Sequence, residues 1–83
     1  MKNLQCPCCG YYTIIEHFDI CKVCFWQFDL SAHNRPDKVS GANRITLNEA
    51  RKNYKKYGAS EEKWTGEEHT RPPLPEELPE NNQ

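Results

Sequence analysis

Cys6-Pro7-Cys8-Cys9-Gly10 opens the decisive stretch of this chain and Cys21-Lys22-Val23-Cys24 closes it, with 11 residues between Cys9 and Cys21. Cys6 and Cys9 make one Cys-x2-Cys pair, and Cys21 and Cys24 make the other. Two residues between thiolates let a tight turn aim both sulfurs at one ion. Two such turns complete a tetrahedron of sulfurs about 2.3 Å from a metal, the geometry zinc accepts. Gly10 suits the first turn, because the residue after the second thiolate often needs a positive φ, which glycine takes without steric cost. The intervening Tyr11-Tyr12-Thr13-Ile14-Ile15 is rich in β-branched and aromatic residues, and Glu16-His17 can turn it back through Phe18-Asp19-Ile20. The expected fold is a small metal-stapled α+β domain: a zinc-ribbon-like β-hairpin bearing two knuckles, with Cys6, Cys9, Cys21 and Cys24 around one structural Zn²⁺. Rubredoxin-like iron is the alternative metal, since tetrahedral sulfur suits both.

Composition explains why a staple is needed. The chain has 83 residues, of which 14 are Leu, Ile, Val or Phe, and a formal net charge of −1. A core of this size seldom supplies more than ~3–5 kcal/mol, so a disulfide, a metal or a partner has to supply the rest. A structural zinc contributes an apparent ~10–16 kcal/mol at neutral pH. Four thiolates on Zn²⁺ carry −2, which moves the working charge toward −3. No stretch approaches the roughly 20 apolar residues of a membrane span, and Met1 to Cys6 leave no room for the h-region of a secretory signal. A soluble, cytoplasmic protein is expected. In that reducing compartment cysteines more often bind metal than form disulfides, and the odd count of five agrees.

Outward from the cysteines, no internal repeat is evident. Residues 31–43 read as a loop, with Pro36 and Gly41 blocking regular structure. Thr46-Leu47-Asn48-Glu49 has the form of a capping box and predicts a helix over 46–57 that Gly58 closes. Leu47, Ala50, Tyr54 and Tyr57 share one face of it, which should pack on Trp26, Phe25 and Phe28. One domain, 1–64, is therefore expected, followed by an extended or disordered acidic, proline-rich tail, 65–83. Trp64 would anchor the start of that tail. Arg71-Pro72-Pro73-Leu74-Pro75 would otherwise suit a polyproline II ligand.

Cys8 is the cysteine left over. It reads as a bystander at the exposed tip of the knuckle, with a reactive thiol or a substitute ligand for Cys6 or Cys9 as alternatives. A thioredoxin-type pair of Cys6 and Cys9 fits poorly, because that motif starts a helix and Gly10-Tyr11-Tyr12-Thr13 looks like turn and strand. His17, His33 and His69 stand at no vacant ligand spacing and read as surface residues. Nothing pairs Asp19, Asp29 or Asp37 with a nucleophile, so no enzyme is expected.

Several segments together have a family likeness: Cys6-Pro7-Cys8-Cys9-Gly10, Asp19-Ile20-Cys21-x-Val23-Cys24-Phe25-Trp26, Ser40-Gly41-x-Asn43, Thr46-Leu47-x-Glu49-Ala50-Arg51-x-Asn53-Tyr54, Tyr57-Gly58-Ala59 and Arg71-Pro72-Pro73. The chain resembles the bacterial cysteine-rich CPCC family over most of residues 6–73. It departs from the pattern at Lys22, where proline is common, and at Gln27, where the family tends to be acidic after Trp26. The resemblance implies a small bacterial cytosolic protein, leaves its activity open, and makes an inhibitor or immunity role conceivable.

Two partner classes follow. A protein-interaction module would use exposed aromatics or the proline tail to meet an unknown protein. A nucleic-acid-binding ribbon would use Arg51, Lys52, Lys55 and Lys56, with Arg44 nearby, on the outer helix face. Against the second, residues 61–80 hold seven acidic and two basic side chains, whereas such domains carry an uncompensated basic patch. An acidic tail folded back on the helix would screen that face.

Overall fold

Each cysteine pair closes a knuckle on itself. In the first, Cys6 N–H donates to the Tyr11 carbonyl (2.8 Å) and Gly10 N–H to the Cys6 carbonyl (2.9 Å). In the second, Cys21 N–H donates to Trp26 (2.8 Å) and Phe25 N–H to Cys21 (2.8 Å). These are the same two bonds at an offset of 15 residues, so the knuckles repeat in backbone geometry where the sequence shows only repeated cysteines. Gly10 and Phe25 occupy equivalent positions and both have positive φ, +86° and +68°. Left-handed backbone costs a side chain about 1–2 kcal/mol. The Phe25 ring packs on Trp64 (4.7 Å between centroids) and His69 (4.9 Å), and such pairs, at about 0.5–1.5 kcal/mol each, offset that cost.

The computed structural model describes residues 3–39 and 41–82. Among them there is no strand, so the β-hairpin expected from residues 11–20 is not formed. Single antiparallel bridges join Leu4 to Ile14 and Ile20 to Gln27 instead. Each half of the expected hairpin thus pairs with the flank of its own knuckle. Asp19 accounts for this, because its carboxylate accepts both Ile15 N–H (3.0 Å) and Ile20 N–H (2.9 Å). Phe18 N–H goes to the Phe28 carbonyl. Amides that a ladder between the two halves needs are already spent.

Helix α1 (Leu30–Asn34) takes up the first residues of the stretch read as loop and begins one residue before it; the Asp29 side chain caps it through Ser31 N–H. Helix α2 (Leu47–Tyr57) forms as the sequence indicates, with the Thr46 hydroxyl accepting from Glu49 N–H (3.1 Å) and Gly58 closing it at φ +78°. Leu47 and Ala50 are fully buried, and Tyr54 and Tyr57 are half-buried. Leu47 and Ala50, with Tyr54 packed against them, join a core of Ile14, Val23, Trp26, Phe28 and Ala32 around the cysteines, and Tyr57 lies outside it. Phe25 turns away from α2 toward Trp64, which sits on a 3-10 turn, Glu62–Trp64, and donates its Nε1–H to Glu61 (3.0 Å). Trp26 Nε1 is buried with no acceptor, and nothing in the structure explains it.

The acidic C-terminal stretch carries two further 3-10 turns, Pro75–Glu77 and Pro79–Asn81. Tyr12 N–H donates to the Glu77 carbonyl (2.8 Å), tying this segment to the first knuckle. Buried Glu77 takes a bidentate pair from Arg71 (2.8 Å to each oxygen) and also accepts Leu74 N–H. Arg71 is therefore engaged inside the fold. No helix among the described residues is long and apolar enough to cross a membrane.

Candidate metal centre

The two knuckles meet crosswise, the first cysteine of each facing the second cysteine of the other. Cys6 and Cys24 place their sulfurs 3.6 Å apart, and Cys9 and Cys21 place theirs 3.7 Å apart. All four Sγ atoms lie within 4.8 Å of one another. A tetrahedral ion with bonds of about 2.3 Å separates its sulfurs by roughly 3.8 Å, so the donor set fits one such ion. Disulfides require sulfurs at about 2.05 Å and are not made here. Cys6, Cys21 and Cys24 are fully buried, and Cys9 is the ligand candidate that reaches toward solvent.

Donors around the sulfurs favour negative charge on them. The Thr13 hydroxyl, itself buried, donates to Cys21 Sγ (2.9 Å), and Val23 N–H points at the same atom (3.4 Å). Hydrogen bonds from Cys24 first, then Cys6 and Cys9, with Thr13 adding, hold the Cys21 thiol far below its ordinary range. The thiols of Cys24 and Cys9 are pushed up, foremost by their bonds to Cys21. Four thiolates at these separations would repel one another, and a cation at their centre would neutralise that charge.

Helix α2 closes the site from outside. Arg51 Nε–H donates to the Pro7 carbonyl in the first knuckle (2.8 Å). Burial, then the nearby Cys9, raises the Tyr54 hydroxyl above its ordinary range. Cys8 stands outside the four-sulfur group and is buried, 8% exposed, where an exposed knuckle tip was expected. Its equivalent at the 15-residue offset is Val23, 1% exposed, so the position inside each knuckle is a core position.

A family model described as Cysteine-rich CPCC matches residues 4–77. The chain belongs to the cysteine-rich CPCC family. The matched span of this CPCC protein takes in both knuckles, α2 and the segment up to Glu77, the residue that fastens the C-terminal stretch to the first knuckle. No curated protein matches the chain.

His17, His33 and His69 lie outside the cluster. His17 stacks on Phe18 and accepts Leu30 N–H through Nε2 (3.2 Å), while His69 packs on Phe25 and Trp64. Asp19 and Asp29 serve the backbone as caps. Thr13 and Arg51 are the supporting residues that spacing did not single out for this site. A lone threonine in an aromatic run and an arginine 44 positions from its acceptor leave no local pattern to read.

Proposed function

We propose that Cys6, Cys9, Cys21 and Cys24 hold one structural Zn²⁺ and that the domain so fixed is a binding module. The supporting observation is the sulfur tetrahedron itself, closed by four thiols with no position left for substrate. Reduced thiols suit a cytoplasmic setting. Native mass spectrometry and elemental analysis of the purified chain test the site: one zinc per chain is expected, lost in Cys9→Ser and Cys21→Ser. A metal-free chain that still melts cooperatively overturns it, and visible absorption would reveal iron.

An unidentified protein partner is the reading favoured for the module. Ile15 (68% exposed), Phe18 (53%) and Leu30 (48%) are large apolar residues left in solvent. Phe18 also holds a strained φ of +69° while its amide and carbonyl are both bonded. A rigid exposed aromatic is the usual anchor of a protein interface. Phe18→Ser should abolish capture of that partner from cell extract while zinc content stays at one per chain.

A further inference from the structure

Beyond that reading, we infer that α2 and the segment before it form a docking ridge for the phosphate backbone of nucleic acid. At 100° per residue, Arg51, Lys55, Lys52 and Lys56 sweep an arc of roughly 140° around α2, and all four are exposed. Pro36 accepts Asn48 N–H (3.0 Å), which places exposed Arg35 and Lys38 at the N-terminal end of the same helix. Those two, with Ser31, Asn34 and Val39, line a cavity of about 430 Å³ that contains no carboxylate. Arg51 is held in place by its bond to Pro7.

The acidic groups do not cancel this surface. Asp37 and Glu49 are the acids within it, so residues 35–38 and 47–57 carry a net +4 in a chain whose net charge is −1, leaving −5 for the remainder. Among the described residues the ion pairs are Lys63–Glu61 and Arg71–Glu77, and neither involves the six cations of the ridge. Of the C-terminal stretch expected to fold onto the basic helix, Glu77 is spent on Arg71, and Glu67 lines a pocket with Tyr54 and Tyr57, which lie across α2 from the lysines.

Charge decides the class of partner. Protein interfaces draw their energy from apolar and aromatic anchors, whereas among the described residues the cavity at this ridge is lined by one large exposed apolar side chain, Val39, beside two cations and two polar groups. Cations supported by a serine hydroxyl and an asparagine amide are the groups that contact phosphate and sugar. With no exposed aromatic on the ridge to stack bases, contact is to the backbone and is independent of sequence.

The metal-bound full chain, titrated by fluorescence anisotropy into a duplex of about 20 base pairs of arbitrary sequence, tests this. Neutralising one phosphate per ridge cation gives a slope of about −5.4 for log K against log salt, a loss of roughly 1,000-fold or more between about 50 and 200 mM. Lys52→Gln/Lys55→Gln/Lys56→Gln should flatten the slope to about −2.7 with metal content and far-UV dichroism unchanged. The proposal is overturned by no binding at the lowest salt, or by a slope the triple variant leaves alone. A polyglutamate peptide bound as tightly through the same three lysines overturns it too, in favour of an acidic protein. Metal content, measured on the same samples, keeps failure of this surface distinct from failure of the zinc site.

Discussion

At the scale of single residues, the instructive position is Cys8. By spacing alone it competes with Cys6 and Cys9 for the metal, because any of the three thiols suits a knuckle. The 15-residue offset removes the ambiguity by pairing Cys8 with Val23, a plain core residue (1% exposed), and Cys6 and Cys9 with Cys21 and Cys24. Cys8 then acts as a small hydrophobe that happens to be a thiol. Cys8→Val should keep one metal per chain and change unfolding free energy by less than about 1.5 kcal/mol, as volume-conserving core exchanges do. Elemental analysis and urea denaturation check this; loss of metal in that variant would return Cys8 to the ligand set.

At the scale of elements, what was legible in the sequence is what is encoded locally. Helix α2 announced itself because Thr46 and Gly58 lie within its own turns and its buried residues recur at helical spacing. The β-hairpin failed to form although residues 11–15 have strand composition, because one aspartate side chain, Asp19, took the amides a ladder requires. Helix α1 was missed for a related reason: Ser31, His33 and Asn34 are weak helix formers, and the Asp29 cap beside them was the sole local signal. Glu77 was indistinguishable from its acidic neighbours, since its importance comes from Arg71 and from Tyr12, 65 positions earlier. Arg71 foremost, and then Leu74 N–H, hold its carboxyl below the ordinary glutamate value of 4.5. A depressed carboxylate contributes stability above its unfolded value and loses it as pH falls through the folded one. Glu77→Gln should therefore cost about 1.5–3 kcal/mol at neutral pH, a gap that stays level down to pH 4.5 and narrows below it. Urea midpoints of the two proteins, compared with zinc present, measure it; a gap that widens in acid would assign the effect to packing.

At the scale of the whole molecule, the radius of gyration, 11.7 Å, is close to the roughly 11.8 Å of a compact chain of this length, yet the means of compaction are unusual. Among the described residues no β-ladder spans the fold, α1 has five residues, and the fully buried large side chains are Trp26, Ile14, Leu47 and Val23 beside three cysteines. The two knuckles touch through their sulfurs, so the ion proposed there sits where the halves of the core meet. Folding and zinc binding are then one equilibrium. Stability should rise by about 1.4 kcal/mol for each tenfold increase in free zinc at 25 °C, the slope for one site present only in the folded state. Urea unfolding in zinc buffers set by a competing chelator reads that slope directly. A chain that stays folded with zero slope, at zinc levels where the metal has demonstrably left, would show that the apolar core holds without it.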